Sequence, residues 1–180
     1  MTDKTYWGDG IHQEVCLFYW YGCETCFEAS KTVYPLLKEK LPSGIKLHYL
    51  PLVSAHPSIN ANLEAHARMA LTLQAMGKED GLSEDLYKLI AGAEGKILIT
   101  PEAQADFLAG YGVSREQYLE IWNSAQTDET IRKLKDFQEA KGIDKVPKAV
   151  INGSLYYNIN TKRPDMTVSK IIEQLKFGRI

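Results

Sequence analysis

Cysteine is scarce in this chain. Three cysteines in 180 residues cannot staple a disulfide scaffold, and a chain of this length with 44% hydrophobic residues can hold itself together by burial instead. Charge of one sign is also lacking. The formal net charge is -2, with both signs interspersed, so no basic run offers counter-charge to phosphates, and neither nucleic acid nor an anionic membrane surface is an expected partner. No apolar stretch approaches the roughly 20 residues of a membrane span, which excludes stable membrane insertion by a helix. Met1-Thr2-Asp3-Lys4 is not followed by the apolar core of a secretory signal. Met1 therefore opens either a cytoplasmic protein or a mature exported form whose signal has been replaced. Internal repeats and low-complexity segments are missing too.

Two of the three cysteines form Cys23-Glu24-Thr25-Cys26, a CxxC spacing used both for redox exchange and for metal binding. No second CxxC or CxxxH completes a zinc tetrad. A haem attachment needs His after the second cysteine, where this chain has Phe27. No metal and no cofactor is expected beyond the dithiol itself. A pair of inert thiols, or half a zinc site, is the competing structural reading.

The placement of the motif gives it chemistry. Glu14 to Tyr21 is a nearly continuous aromatic and aliphatic run, too short for a typical helix, and reads as a strand buried on both faces, closed by Gly22. From Glu24 to Lys40 the apolar residues Phe27, Val33, Leu36 and Leu37, continued by Leu41, follow a helical stripe, with Pro35 as a kink and Pro42-Ser43-Gly44 as a stop. Ile45 to Leu50 alternates like a second strand, ending near Pro51, which completes a βαβ opening. Cys23 then sits at a helix start, where unpaired N–H groups and the positive dipole end stabilise a thiolate. Cys26 lies on the same side one turn inward. This predicts Cys23 as the exposed attacking sulfur and Cys26 as the buried resolving one. Glu24 and Thr25 tune the pair; a carboxylate roughly 6 to 8 Å from the sulfur raises its pKa by about half to one unit and makes the disulfide less oxidising.

Between Ser58 and Lys141 five helical patterns occur in succession: about 60–76, 83–91, 101–111, 114–124 and 128–141. Ser114-Arg-Glu-Gln117 is a capping box, Pro101 suits a first helical position, and Thr127 or Asp128 can cap the last helix. Then Val146 to Ile151, a two-residue Asn152-Gly153 turn and Leu155 to Tyr157 read as a β-hairpin, and Val168 to Phe177 as an amphipathic helix. The predicted fold is α/β, of the thioredoxin-like order βαβ…ββα, with residues 1–57 and 144–180 forming one discontinuous domain around an all-helical insertion at 58–143.

Other residues invite plainer readings. Cys16 falls mid-strand and reads as a small core hydrophobe. His48, His56 and His66 are scattered over a strand, a loop and a helix, and default to surface or satisfied-core positions, as does His12. Gly92-Ala-Glu-Gly-Lys96 is a loop, too short for a phosphate cradle, and Asn152-Gly-Ser154 is better explained as a turn than as a glycosylation sequon. Trp20, Tyr21, Trp122, Tyr156 and Tyr157 read as core, with Tyr21 able to line the site.

With CxxC at a strand-to-helix junction and Val146-Pro147 opening a late hairpin, the chain resembles the thioredoxin superfamily. The helical insertion, Glu116-Gln-Tyr-Leu-Glu-Ile-Trp122-Asn-Ser124 and Val146-Pro147-Lys-Ala-Val-Ile-Asn152-Gly153 resemble the DsbA-like thiol:disulfide oxidoreductases over nearly the whole chain. The resemblance implies that Pro147 is cis, against a plain trans strand start, and that Val146 and Pro147 bind an extended substrate segment. It implies action on the cysteines of reduced or misfolded exported polypeptides, reoxidation by a DsbB-like, quinone-linked membrane oxidase, and a bacterial periplasmic location. Departures bear on redox tuning: the motif interior is Glu-Thr where the best-known members have Pro-His, and a buried acid and its basic partner are replaced by Leu17 and Tyr49. A disulfide reductase or isomerase of the same fold, and a peptide-binding chaperone module with incidental cysteines, are the alternative functions.

Overall fold

The computed structural model describes residues 13–53 and 60–177. His12, His56 and the expected boundary at residues 57 and 58 lie outside the described residues. The described residues divide into two compact units, one of residues 13–19, 25–50 and 146–177, the other of residues 20–24, 51–53 and 60–145.

The first unit is built on β1 (Glu14–Tyr19), whose six residues are all buried. Its side chains alternate between two faces, and neither face meets water. The sheet order is β2-β1-β3-β4, with β2 Lys46–Pro51, β3 Lys148–Ile151 and β4 Leu155–Asn158. β1 runs antiparallel to β3 with Val15 opposite Ile151 and Leu17 opposite Ala149. These four side chains share a core with Ala29 of α1 (Glu24–Lys31), Val33 and Leu37 of α2 (Val33–Lys40), and Val168, Ile171 and Leu175 of α8 (Pro164–Phe177). Each large apolar side chain so buried contributes about 1.5 to 3 kcal/mol.

Several expected boundaries are corrected. The strand ends at Tyr19 rather than Tyr21 because the chain turns there, Cys23 N–H donating to the Trp20 carbonyl at 3.1 Å. The helix from Glu24 is not kinked at Pro35 but broken at Thr32. Proline has no N–H to offer and its ring excludes the carbonyl four residues back, which is that of Lys31. Thr32 takes an off-helix conformation (φ -121°, ψ -69°) and its hydroxyl bonds back to Glu28 O at 2.8 Å, a bond that bends helices. The hairpin loop has three residues, not two, since Ile151 faces Leu155. Asn152 and Gly153 both have positive φ (50° and 66°) and Ser154 N–H closes onto Ile151 O, which is a turn of the type I′ kind over Asn152-Gly153 with Ser154 joining the loop. Asn152 is also tied to β1, its amide donating to Glu14 O and its Oδ1 accepting from Glu14 N. Finally, α8 starts at Pro164, four residues before Val168, with proline in the favoured first position and Asp165 in the first turn.

The second unit is helical: α3 (Asn60–Ala75), α4 (Glu79–Gly92), α5 (Pro101–Ala109), α6 (Arg115–Trp122) and α7 (Ala125–Lys141). Thr100 and Ser114 cap α5 and α6 through their side-chain oxygens. α7 is capped by Ser124, which accepts from Thr127 N, and not by Thr127 or Asp128. Thr127 is buried in the first turn, with its hydroxyl given to Ile121 O. α4 begins at Glu79 rather than Ser83: Glu79 and Asp80 complement the dipole, and Gly81 lies inside the helix, where it would ordinarily signal a break.

Two buried amides organise this unit. Gln138 on α7 donates to Pro51 O at 2.9 Å and accepts from Val53 N at 2.8 Å, fixing the segment that comes after β2. Gln104 on α5 is fully buried and makes four bonds: it donates to Ala65 O and Leu98 O and accepts from the Tyr118 hydroxyl and the Trp122 indole. The Gln104→Leu variant keeps the volume but leaves Tyr118 and Trp122 as donors without an acceptor. Urea denaturation is expected to show a loss of about 3 kcal/mol or more, while exposed Gln126→Leu should change stability by less than about 1 kcal/mol.

Candidate active site

Cys23 and Cys26 bracket the first turn of α1. Cys23 is the residue before the helix, half-buried, and Cys26 is its third residue, with no exposure. An N-terminal turn leaves backbone N–H groups unpaired, and these favour negative charge on a sulfur beside them. Glu24 and Thr25 are exposed. Thr25 lines a groove of about 650 Å³ with Tyr156, Asn158, Asn160 and Lys162 along β4 and the loop after it.

The Val146–Pro147 peptide bond is cis. Both residues are half-buried and precede β3, whose Lys148 pairs with Phe18 of β1. They therefore stand at the end of the sheet where the chain leaves β1 for α1. Pro147 O accepts from Ile159 N at 3.4 Å. Leu17 has no exposure and Tyr49 packs edge-on against Tyr34, so the positions that carried the expected charges are apolar and aromatic here.

A buried carboxylate does exist on β1, at Glu14, with 1% exposure and its Oε2 3.4 Å from His48 Nε2. It lies at the opposite end of the strand. There it acts on Cys16, whose thiol is pushed far up by burial and then by the Glu14 charge. That thiol is a core group with 1% exposure. Among the described residues no group of three or more His, Cys, Asp or Glu could hold a metal ion.

The approach to Cys23 is shaped by residues whose sequence pattern is that of generic core. Trp20 Nε1–H donates to His66 Nδ1 at 2.9 Å. Indole can only donate, so Nδ1 carries no proton, and His66 Nε2–H donates to Ile97 O at 2.8 Å. The Tyr21 hydroxyl donates to Glu79 at 2.6 Å and its ring meets Tyr87 edge-on. The sequence does hold a signal for His66. It falls at helical spacing between Leu63, Ala67, Ala70 and Leu73, all buried, and a histidine on such a stripe must find partners for both ring nitrogens.

A dithiol split between a half-buried sulfur at a helix start and a buried one a turn inward is the arrangement of a thiol–disulfide oxidoreductase with a thioredoxin-like fold. Comparison with known proteins narrows this class. The Thiol:disulfide interchange protein DsbA of Pseudomonas aeruginosa is 35% identical over 148 residues, covering 82% of this chain and 67% of that protein. Its namesake from Azotobacter vinelandii is 29% identical over 148 residues, covering 82% of this chain and 66% of that one. The crystal structure of Pseudomonas aeruginosa DsbA superposes with a TM-score of 0.82 at 30% identity, covering 99% of this chain and 88% of that chain. No protein-family model matches. The chain belongs to the DsbA family of thiol:disulfide interchange proteins, and its fold is the thioredoxin fold with an inserted helical domain.

The buried histidine gives a pH signature. Burial holds the His66 pKa below its ordinary 6.5, with the Ile97 carbonyl pulling weakly the other way. As pH falls through 6.5 the unfolded chain takes up a proton that the folded chain accepts only lower. The unfolded state is then favoured. Stability from this group is intact above 6.5 and declines below it until the folded pKa is reached. Urea midpoints at about pH 7.5 and about pH 5.5 should differ more in the parent than in His66→Gln; equal differences would contradict this.

Proposed function

We propose that this chain exchanges disulfides with the cysteines of exported polypeptides, through Cys23 as the attacked and attacking sulfur and Cys26 as the resolving one. The observation that carries the reading is the unequal exposure of two sulfurs on one helical turn in a member of the DsbA family. In the oxidising direction a substrate thiolate attacks Cys23 Sγ, the Cys23–Cys26 bond breaks, and Cys26 leaves as a thiolate. A second substrate thiolate then attacks the substrate sulfur of the mixed disulfide, and Cys23 departs. Two substrate thiols become one disulfide, and the enzyme disulfide becomes a dithiol. In the reducing direction Cys23 attacks and Cys26 resolves.

The redox group is the pair itself, with no further cofactor. Val146 and Pro147 supply backbone for an extended substrate segment at the same end of the sheet, and reduced or misfolded exported polypeptides are the substrates. Reoxidation falls to a DsbB-like, quinone-linked membrane oxidase, and the location is the periplasm. A second reading, reductase or isomerase, is favoured by one observation: Leu17 is fully buried where a charge would otherwise tune the thiolate.

Cys23→Ser should abolish insulin reduction and peptide oxidation, whereas Cys26→Ser should accumulate mixed disulfides visible by mass spectrometry. Activity surviving in Cys23→Ser would sink the reading. Removing the charge in Glu24→Gln should lower the Cys23 pKa by roughly half to one unit and raise the potential by roughly 15 to 30 mV against glutathione. An unchanged or lower potential would show that Glu24 does not tune the pair.

A further inference from the structure

We infer that His66 is a positioning residue for Cys23, acting through Trp20, an inference that rests on Cys23 being the reactive sulfur. Trp20 occupies the turn that delivers the chain to the motif: its carbonyl accepts the Cys23 N–H at 3.1 Å. Its indole packs closely against two glycines. A Cβ at Gly22 or at Gly95 would run into the Trp20 ring, so the backbone approaches the ring closely at both residues, and Gly95 is further restricted by its positive φ of 73°.

The indole is then held by one polar contact, Nε1–H to His66 Nδ1 at 2.9 Å. His66 has 1% exposure, and its other nitrogen is committed to Ile97 O at 2.8 Å. Asn62, one turn earlier on α3, donates to Gly95 O at 2.9 Å. α3 thus grips both the 95–97 loop and the indole packed on it. With both ring nitrogens occupied, the imidazole cannot rotate without breaking two bonds, and the half-buried Trp20 cannot tilt without losing its one acceptor, a buried imidazole nitrogen. The orientation of the Trp20–Cys23 turn, and with it the angle at which the Cys23 sulfur meets the N–H groups of the helix start, is fixed by His66.

The test uses the whole chain and two readouts that packing loss alone would not move: the Cys23 ionisation constant, from the pH dependence of its iodoacetamide alkylation, and the redox equilibrium with glutathione. His66→Leu removes the acceptor. Trp20→Phe removes the donor while leaving an aromatic ring over the glycines. His66→Gln can restore both bonds. The first two variants should shift the ionisation constant at least about threefold in the same direction, with a matching change in the glutathione equilibrium, and His66→Gln should stay near the parent. Parent-like constants in folded His66→Leu and Trp20→Phe would overturn the inference. Should His66→Leu fail to fold, Trp20→Phe decides alone. If alkylation of the parent labels Cys26 before Cys23, the reading of Cys23 as the reactive sulfur fails, and the positioning role falls with it. If that order holds and only the variants are silent, the positioning role alone is wrong.

Discussion

The central constraint of this fold is that β1 has no wet face. All six residues from Glu14 to Tyr19 are buried, so a slip of one residue would exchange the side chains packed on its two faces and break the packing on both. Register is set by that pattern together with the Asn152 side chain, which holds the first residue of β1 from the hairpin turn. Because the strand is fixed at both edges by β2 and β3, its last residue is a fixed origin for the turn beyond it. The chain needs only four further residues to reach Cys23, and the Trp20–Cys23 turn takes up most of that length. The redox motif is thereby placed by burial rather than by any property of cysteine.

How much of this is legible in the sequence depends on how local each signal is. The aromatic run of β1, the glycine after it and the helical stripe behind CxxC are short-range patterns, and each specifies its element without reference to distant residues. The same holds for Ser114 and for the Asn152-Gly153 turn. The break at Thr32 is less legible because a proline acts on the carbonyl four residues earlier, so the visible residue and the affected one are a turn apart. α4 reads short because Gly81 looks like a stop; the helix runs through it because Leu82, Leu86, Tyr87 and Ile90 bury one face and outweigh the roughly 1 kcal/mol that glycine costs. The stripe on α3 shows that His66 needs partners but cannot name them, since Trp20 and Ile97 are 46 and 31 residues away in sequence.

The electrostatics of the site are equally non-local, and they decide how far the sequence departures matter. An acid expected beneath the motif is absent at Leu17, but the strand still buries one at Glu14, paired with His48. The two positions are not equivalent. From Glu14 to Tyr19 an extended strand covers about 17 Å, and the sheet end at Tyr19 is the one at which the chain leaves for α1. Glu14 therefore spends its charge on Cys16, two residues along, where it helps to keep an inert thiol protonated. A carboxylate at that end contributes little to a sulfur beyond Tyr19, since the interaction falls with distance and is screened over roughly 8 to 10 Å wherever solvent intervenes.

On the function proposed above, the Cys23 thiolate answers to what lies close to it: the N–H groups of the helix start, the exposed Glu24 carboxylate next in sequence and the orientation of the turn. The first favours the anion by about 0.3 to 1 kcal/mol when exposed and by up to about 2 kcal/mol when partly buried. A carboxylate roughly 6 to 8 Å away would oppose it by about half to one pKa unit, close to 1 kcal/mol. Two such terms would be of similar size and opposite sign, so a small change in how the sulfur meets the helix axis would decide the balance. In a relative with a strong buried charge under the motif, such a change would be a correction to a larger number. On the inference drawn above, the geometry of the Trp20–Cys23 turn would carry the difference, and a tryptophan packed closely against two glycines and hydrogen-bonded to a neutral histidine would have more influence on the chemistry than the histidine's distance along the chain from the dithiol suggests.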